Sequence, residues 1–128
     1  MPDLEQARLL AALAARDLQT IRHMTDPACF ADEIFGFHAQ QAAEKAFKAW
    51  LCLRGLAYPL THDLRLLFGQ LEDASAQDVQ PFENLVALSD YAVQYRYAFS
   101  AEEPVDRAAM LQQVEALVNF VTALVQRA

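Results

Sequence analysis

Apolar residues recur along this chain at helical rather than strand spacing. Leu4, Ala7, Ala11, Ala14, Leu18 and Ile21 fall three or four apart and line one face of a first helix predicted over about 3–24. Asp3 and Gln6 open it as a capping box. Asp26-Pro27 reads as an N-cap with proline at the first helical position, so a second helix is predicted from there to about Arg54, closed by Gly55. Phe35, Ala42, Ala43, Ala46, Phe47, Ala49, Trp50, Leu51 and Leu53 cover much of its circumference, which predicts a central position. Gly36 inside it suggests close approach by another helix.

Tyr58-Pro59-Leu60 is a connector. Thr61 is predicted to cap a short third helix over about His62 to Glu72, with Leu64, Leu67, Phe68 and Leu71 inward. Asp73 to Gln80 reads as a polar turn. Pro81 then opens a fourth helix to about Tyr97, and a fifth starts near Pro104, with Met110, Val114, Leu117, Val121 and Leu124 as its buried stripe. The expected fold is all-α: a single domain over residues 1–128, an up-and-down antiparallel bundle of four long helices plus one short helix.

Composition narrows the function. The chain has 128 residues, 55% of them hydrophobic, enough for one core and no more than one domain. Its formal net charge of −7 argues against a general nucleic-acid surface, because phosphate neutralisation needs clustered Lys and Arg. Cys29 and Cys52 lack metal-ligand spacing and sit among apolar neighbours, which predicts two buried, reduced thiols in a cytoplasmic protein. Three scattered histidines complete no zinc set, so no metal and no cofactor are expected. Neither a signal peptide nor a stretch of 18 uncharged apolar residues is read, so no membrane span is expected.

Three polar groups interrupt this apolar pattern. At 100° per residue, His38, Gln41, Lys45 and Lys48 fall within a sector of roughly 80° on the second helix. The plain alternative is a solvated edge, with Glu44 and Lys48 as an ordinary pair one turn apart. Thr61-His62-Asp63-Leu64 begins the third helix; capping and the helix dipole account for Thr61 and Asp63 but not for His62. In Tyr91-Ala-Val-Gln-Tyr95-Arg96-Tyr97, Arg96 continues the stripe Phe82, Leu85, Ser89 and Ala92. A guanidinium there needs partners, either an internal carboxylate or a phosphate or protein ligand.

Phe37-His38-Ala-Gln-Gln-Ala-Ala-Glu44-Lys45-Ala-Phe-Lys48, Arg54-Gly55-Leu56, Thr61-His62-Asp63-Leu64 and Tyr95-Arg96-Tyr97 together resemble the HEPN domain family (higher eukaryote and prokaryote nucleotide-binding) in order and spacing. The resemblance implies a helical bundle that forms homodimers, with a cleft for a nucleotide or RNA near the dimer interface. It also implies work beside a small nucleotidyltransferase, often as a toxin–antitoxin pair. It places a nucleotide- or partner-binding role on His38, Gln41, Lys45, Lys48, His62, Asp63, Arg96 and Tyr97, and no catalytic residue. Ribonuclease members carry an Arg, four to six residues, then a His near a late helix. Here Arg16 and His23 fit that count but lie on the first helix, Arg54 and His62 have seven residues between them and span a loop, and no histidine follows Arg96. The chain is therefore expected to bind rather than to cleave; the alternative is a metal-independent RNase toxin assembled across a dimer, with His62, or His23 with Arg16, as base.

The apolar helical surface exceeds what one small bundle hides, so a homodimer is expected, with the second or fourth helix contributing. Light scattering at micromolar concentration should return the mass of two chains; the mass of one would refute this.

Overall fold

The structure, a computed structural model, describes residues 2–89 and 106–128, except the side chains at 75 and 76. Within them the chain forms helices α1 (Leu4–Arg22), α2 (Asp32–Leu53), α3 (Leu64–Val79), a 3-10 segment (Gln80–Leu88) and α4 (Arg107–Arg127). No strand occurs among the described residues, and the all-α bundle expected from the sequence is the fold.

Asp3 caps α1 as expected, accepting the Gln6 N–H at 3.0 Å. The reciprocal half of the capping box does not form. The Gln6 amide donates instead to the Tyr58 hydroxyl, and the Asp3 N–H to the Cys52 carbonyl. These two bonds lay the start of α1 beside the end of α2, so the pair is antiparallel. Ala7, Ala11, Ala14, Leu18 and Ile21 are all buried. The end of α2 is a Schellman turn: Leu56 N–H reaches Leu51 O, Gly55 N–H reaches Cys52 O, and Gly55 takes φ 71°.

α3 runs along α2 in the same sense, so this pair is parallel and the up-and-down antiparallel order expected from the sequence does not hold here. Its start lies against Gln40, Phe68 meets Phe47 edge-on at 6.4 Å, and Arg54 donates to the Ala74 carbonyl further along. The extended connector over residues 54–63 makes this return possible. α4 packs on both α1 and α2, and Trp50, Phe82 and Phe120 form an aromatic cluster with centroids 5.0 to 6.1 Å apart.

Four expected boundaries move. α2 begins at Asp32 rather than after Pro27; Asp26 caps only a turn, accepting from Ala28 N–H and the Cys29 thiol. Asp63, not Thr61, is the N-cap of α3, and Leu64 N–H is capped from a distance by the Ser89 hydroxyl at 2.8 Å. The polar stretch from Asp73 is helical through Val79, because no Gly or Pro interrupts it and Val79 is fully buried. Pro81 then stands at the start of the 3-10 segment, where its missing N–H is harmless. Cys52 is buried as expected, but Cys29 is exposed, since the turn that carries it lies outside the core.

The position of Asp32 follows from Arg107, which is only 7% exposed. Its guanidinium donates to the carbonyls of Met24 and Phe30 and to the Asp32 carboxylate, and it lies 5.2 Å from the Phe35 ring centroid. These contacts fix the path of residues 24–32 around the guanidinium, and α2 begins where that path ends, at Asp32. By length and composition alone, α4 is long and apolar enough to cross a membrane. Val114, Leu117, Val118, Val121 and Val125 are buried as one stripe that faces α1 and α2.

Arg107→Met should cost about 3 kcal/mol, because it leaves two carbonyls and a carboxylate without their donor. Arg22→Met, which removes an exposed pair with Glu115 (3.3 Å), should cost less than about 1 kcal/mol. Urea unfolding of both variants checks the contrast.

Candidate functional site

Glu44 sits at 4% exposure on the apolar side of α2, and Gln40 beside it is fully buried. Helical spacing places Gln40, Glu44 and Lys48 in one row. Glu44 Oε1 accepts from Gln40 Nε2 at 2.9 Å and faces His62 Nδ1 at 2.8 Å; Oε2 accepts from Lys48 Nζ at 3.0 Å. Gln40 Nε2 also donates to the His62 carbonyl at 2.8 Å, and Gln40 Oε1 accepts from Gln41 Nε2 at 2.7 Å. The carboxylate is thus buried with three donors, which offsets much of its desolvation.

The network reaches outward at three places. Lys48 lies 5.3 Å over the Tyr58 ring, a cation–π contact that extends the row toward the connector. Lys45 crosses to α1 and binds Asp17 at 2.5 Å, with both side chains partly exposed. The His62 side chain is 66% exposed although its Nδ1 is anchored.

The sequence-predicted residues separate accordingly. Lys48 and His62 meet at Glu44, and Gln41 joins through Gln40. Lys45 is on the same helix but engaged with α1. His38 is half-buried and packs edge-on to Phe37 at 5.4 Å. Asp63 is occupied as a cap, accepting Arg65 N–H at 3.0 Å. Arg96 and Tyr97, with Tyr91 and Tyr95, lie outside the described residues. Of the ribonuclease spacings, Arg16 and His23 are exposed on and just after α1, and Arg54 holds the Ala74 carbonyl.

Sequence reasoning missed Gln40 as a member and treated Glu44 as one half of a solvated pair. The available signal was the setting: Ala39, Ala42, Ala43, Ala46 and Phe47 surround both residues, and all are fully buried. A carboxylate amid such neighbours needs donors from another element, and His62 is the one this fold supplies.

A cavity of about 380 Å³ opens beside Tyr58, lined also by Asp3, Gln6, Cys52 and Leu56. Burial pushes the Cys52 thiol up, and its hydrogen bond to Asp26 pushes the Cys29 thiol up. Asp26 is held down by the Ala28 N–H and then by that same thiol. Neither cysteine is thus poised as a thiolate nucleophile. Among the described residues no group of three His, Cys, Asp or Glu could hold a metal ion.

Glu44→Ala should cost about 3 kcal/mol, because it strands a largely buried ammonium and a buried amide. Lys45→Ala, which breaks a more exposed pair, should cost about 1 kcal/mol or less. Denaturant titration of the two variants tests whether Glu44 is the hub.

With this geometry in place, comparison with known families finds one match, the HEPN domain, over residues 7–126. No curated protein and no solved structure matches the chain.

Proposed function

We propose a function from one premise: the chain belongs to the HEPN domain family, whose model covers nearly its whole length. Membership points to nucleotide or RNA binding, or to ribonuclease-like action. Our reading within that range is a binding module without chemistry of its own on RNA. It acts as a homodimer beside a small nucleotidyltransferase, in the manner of a toxin–antitoxin pair in the cytoplasm.

The observation that carries the binding reading is the joined ridge of Gln41, Lys48 and His62 around Glu44, with Lys45 one turn away. It supplies cationic and imidazole donors on an otherwise apolar helix. Both lysines already hold carboxylates, Asp17 and Glu44. An incoming phosphate must share or displace those partners, which favours a compact ligand with few phosphates over a long RNA backbone. The net charge of −7 favours the same choice. The ribonuclease alternative draws less support, because Arg54, the arginine before His62 in the sequence, is engaged with the Ala74 carbonyl.

Native mass spectrometry of freshly purified protein should report two chains and any retained nucleotide. Fluorescence titration with labelled ATP, GTP and a short RNA then tests the ridge. Lys45→Ala, His62→Ala and Arg96→Ala should each weaken binding about tenfold, the scale of one charge-assisted hydrogen bond. Unchanged affinity in all three would refute the site. A co-expressed nucleotidyltransferase should elute as a stoichiometric complex; separate elution would remove the partner from the proposal.

A further inference from the structure

We propose that His62 is a phosphoryl-acceptor histidine, with Nε2 as the nucleophile and Glu44 as the positioning residue that orients its ring. This inference is independent of nucleotide binding. It starts from the hydrogen bond between His62 Nδ1 and Glu44 Oε1 at 2.8 Å. A carboxylate that binds an ammonium on its other oxygen is acceptor-only, so the shared proton belongs to Nδ1. In the neutral ring the lone pair is then on Nε2, the atom on the far side from Glu44. The backbone beneath is held as well. The His62 carbonyl accepts from Gln40, Asp63 N–H donates to Thr61 Oγ1, and Thr61 N–H donates to Pro59 O.

Exposure decides between two uses of such a ring. A general base acting within its own active site gains from water exclusion and from preorganised dipoles around the substrate. The His62 side chain is 66% exposed, and the lining residues of the cavity beside Tyr58 and of that beside Arg107 do not include it. A protruding, oriented nucleophile suits the reverse arrangement, in which it enters the active site or reaches the reactive group of a donor. The other histidines lack this combination: His23 is the exposed C-cap of α1, and His38 is half-buried against Phe37.

The donor class is an N-phosphoryl compound, a phosphoramidate or another phosphohistidine. The Nε2 lone pair attacks phosphorus and the N–P bond of the donor breaks; the donor nitrogen, already carrying its proton (the –NH3+ of phosphoramidate, or a ring protonated on its other nitrogen in phosphohistidine), leaves with that electron pair as a neutral amine or imidazole. The Nε2–P bond forms while Nδ1 keeps its proton. The ring thereby becomes cationic, and the Glu44 carboxylate faces that new charge.

The test uses the full chain and potassium phosphoramidate, with phosphorylation of each histidine followed by mass spectrometry at neutral pH. His62 should be labelled roughly tenfold faster than His23, the scale of one hydrogen bond to a charged group. Glu44→Gln should abolish that preference, and the comparison is internal to each molecule. Equal rates at His62 and His23 in the parent chain, or a preference that survives Glu44→Gln, would overturn the proposal. If Glu44→Gln fails to fold, nitrogen-15 NMR of the parent chain decides. A proton on Nδ1 of His62 supports the assignment, and a proton on Nε2 overturns it.

Discussion

A carboxylate withdrawn from water has to be surrounded by donors, and in this protein the need falls on Glu44. Its own helix can provide only the residues one turn away, Gln40 and Lys48. The remaining donor comes from His62, brought by the connector after α2, while Gln40 also ties the His62 carbonyl to the same row. That docking fixes where the connector ends. It follows that α3 starts against the middle of α2 and runs alongside it, with Phe68 against Phe47. One buried charge therefore links the path of the chain to the presentation of an exposed histidine.

Arg107 does the corresponding work at the other end of the bundle. A guanidinium at 7% exposure draws carbonyls and a carboxylate toward itself, and residues 24–32 supply them. The joint between α1 and α2 is thereby tied to the first turn of α4. The two hubs differ in kind. Arg107 is directed inward to backbone carbonyls, whereas the Glu44 network ends on groups that reach the surface at His62 and at the Lys48–Tyr58 contact. The Arg107 guanidinium is already engaged by two carbonyls and a carboxylate, and for that reason function is sought at Glu44 and not at Arg107.

Charge constrains that function further. The chain is acidic overall, and the lysines of the α2 ridge are matched by carboxylates. Long-range attraction of a polyanion is weak under those conditions, so recognition depends on short-range geometry. The fold provides it by holding Gln41, Lys45 and Lys48 on one well-packed helix and pinning His62 to that helix through Glu44 and Gln40, which keeps the donors in register.

Much of the architecture was legible in the sequence. The stripes of α1 and α3 needed nothing beyond helical periodicity and burial of apolar area, and the Gly55 stop needed only the left-handed freedom of glycine. The family motifs could be read in the same way, because they are local strings. The start of α2 could not, since Asp26-Pro27 has every local mark of a helix start and is overruled by Arg107, 75 residues beyond Asp32. The length of α3, its capping by Ser89 and the exposure of Cys29 were equally hidden. In the candidate site, His62, Lys45 and Lys48 were visible as polar interruptions, but Glu44 read as half of a solvated pair and nothing local singled out Gln40. Periodicity reports which face of a helix is apolar. The partner that makes a buried polar group tolerable comes from another part of the chain, and only the tertiary structure selects it.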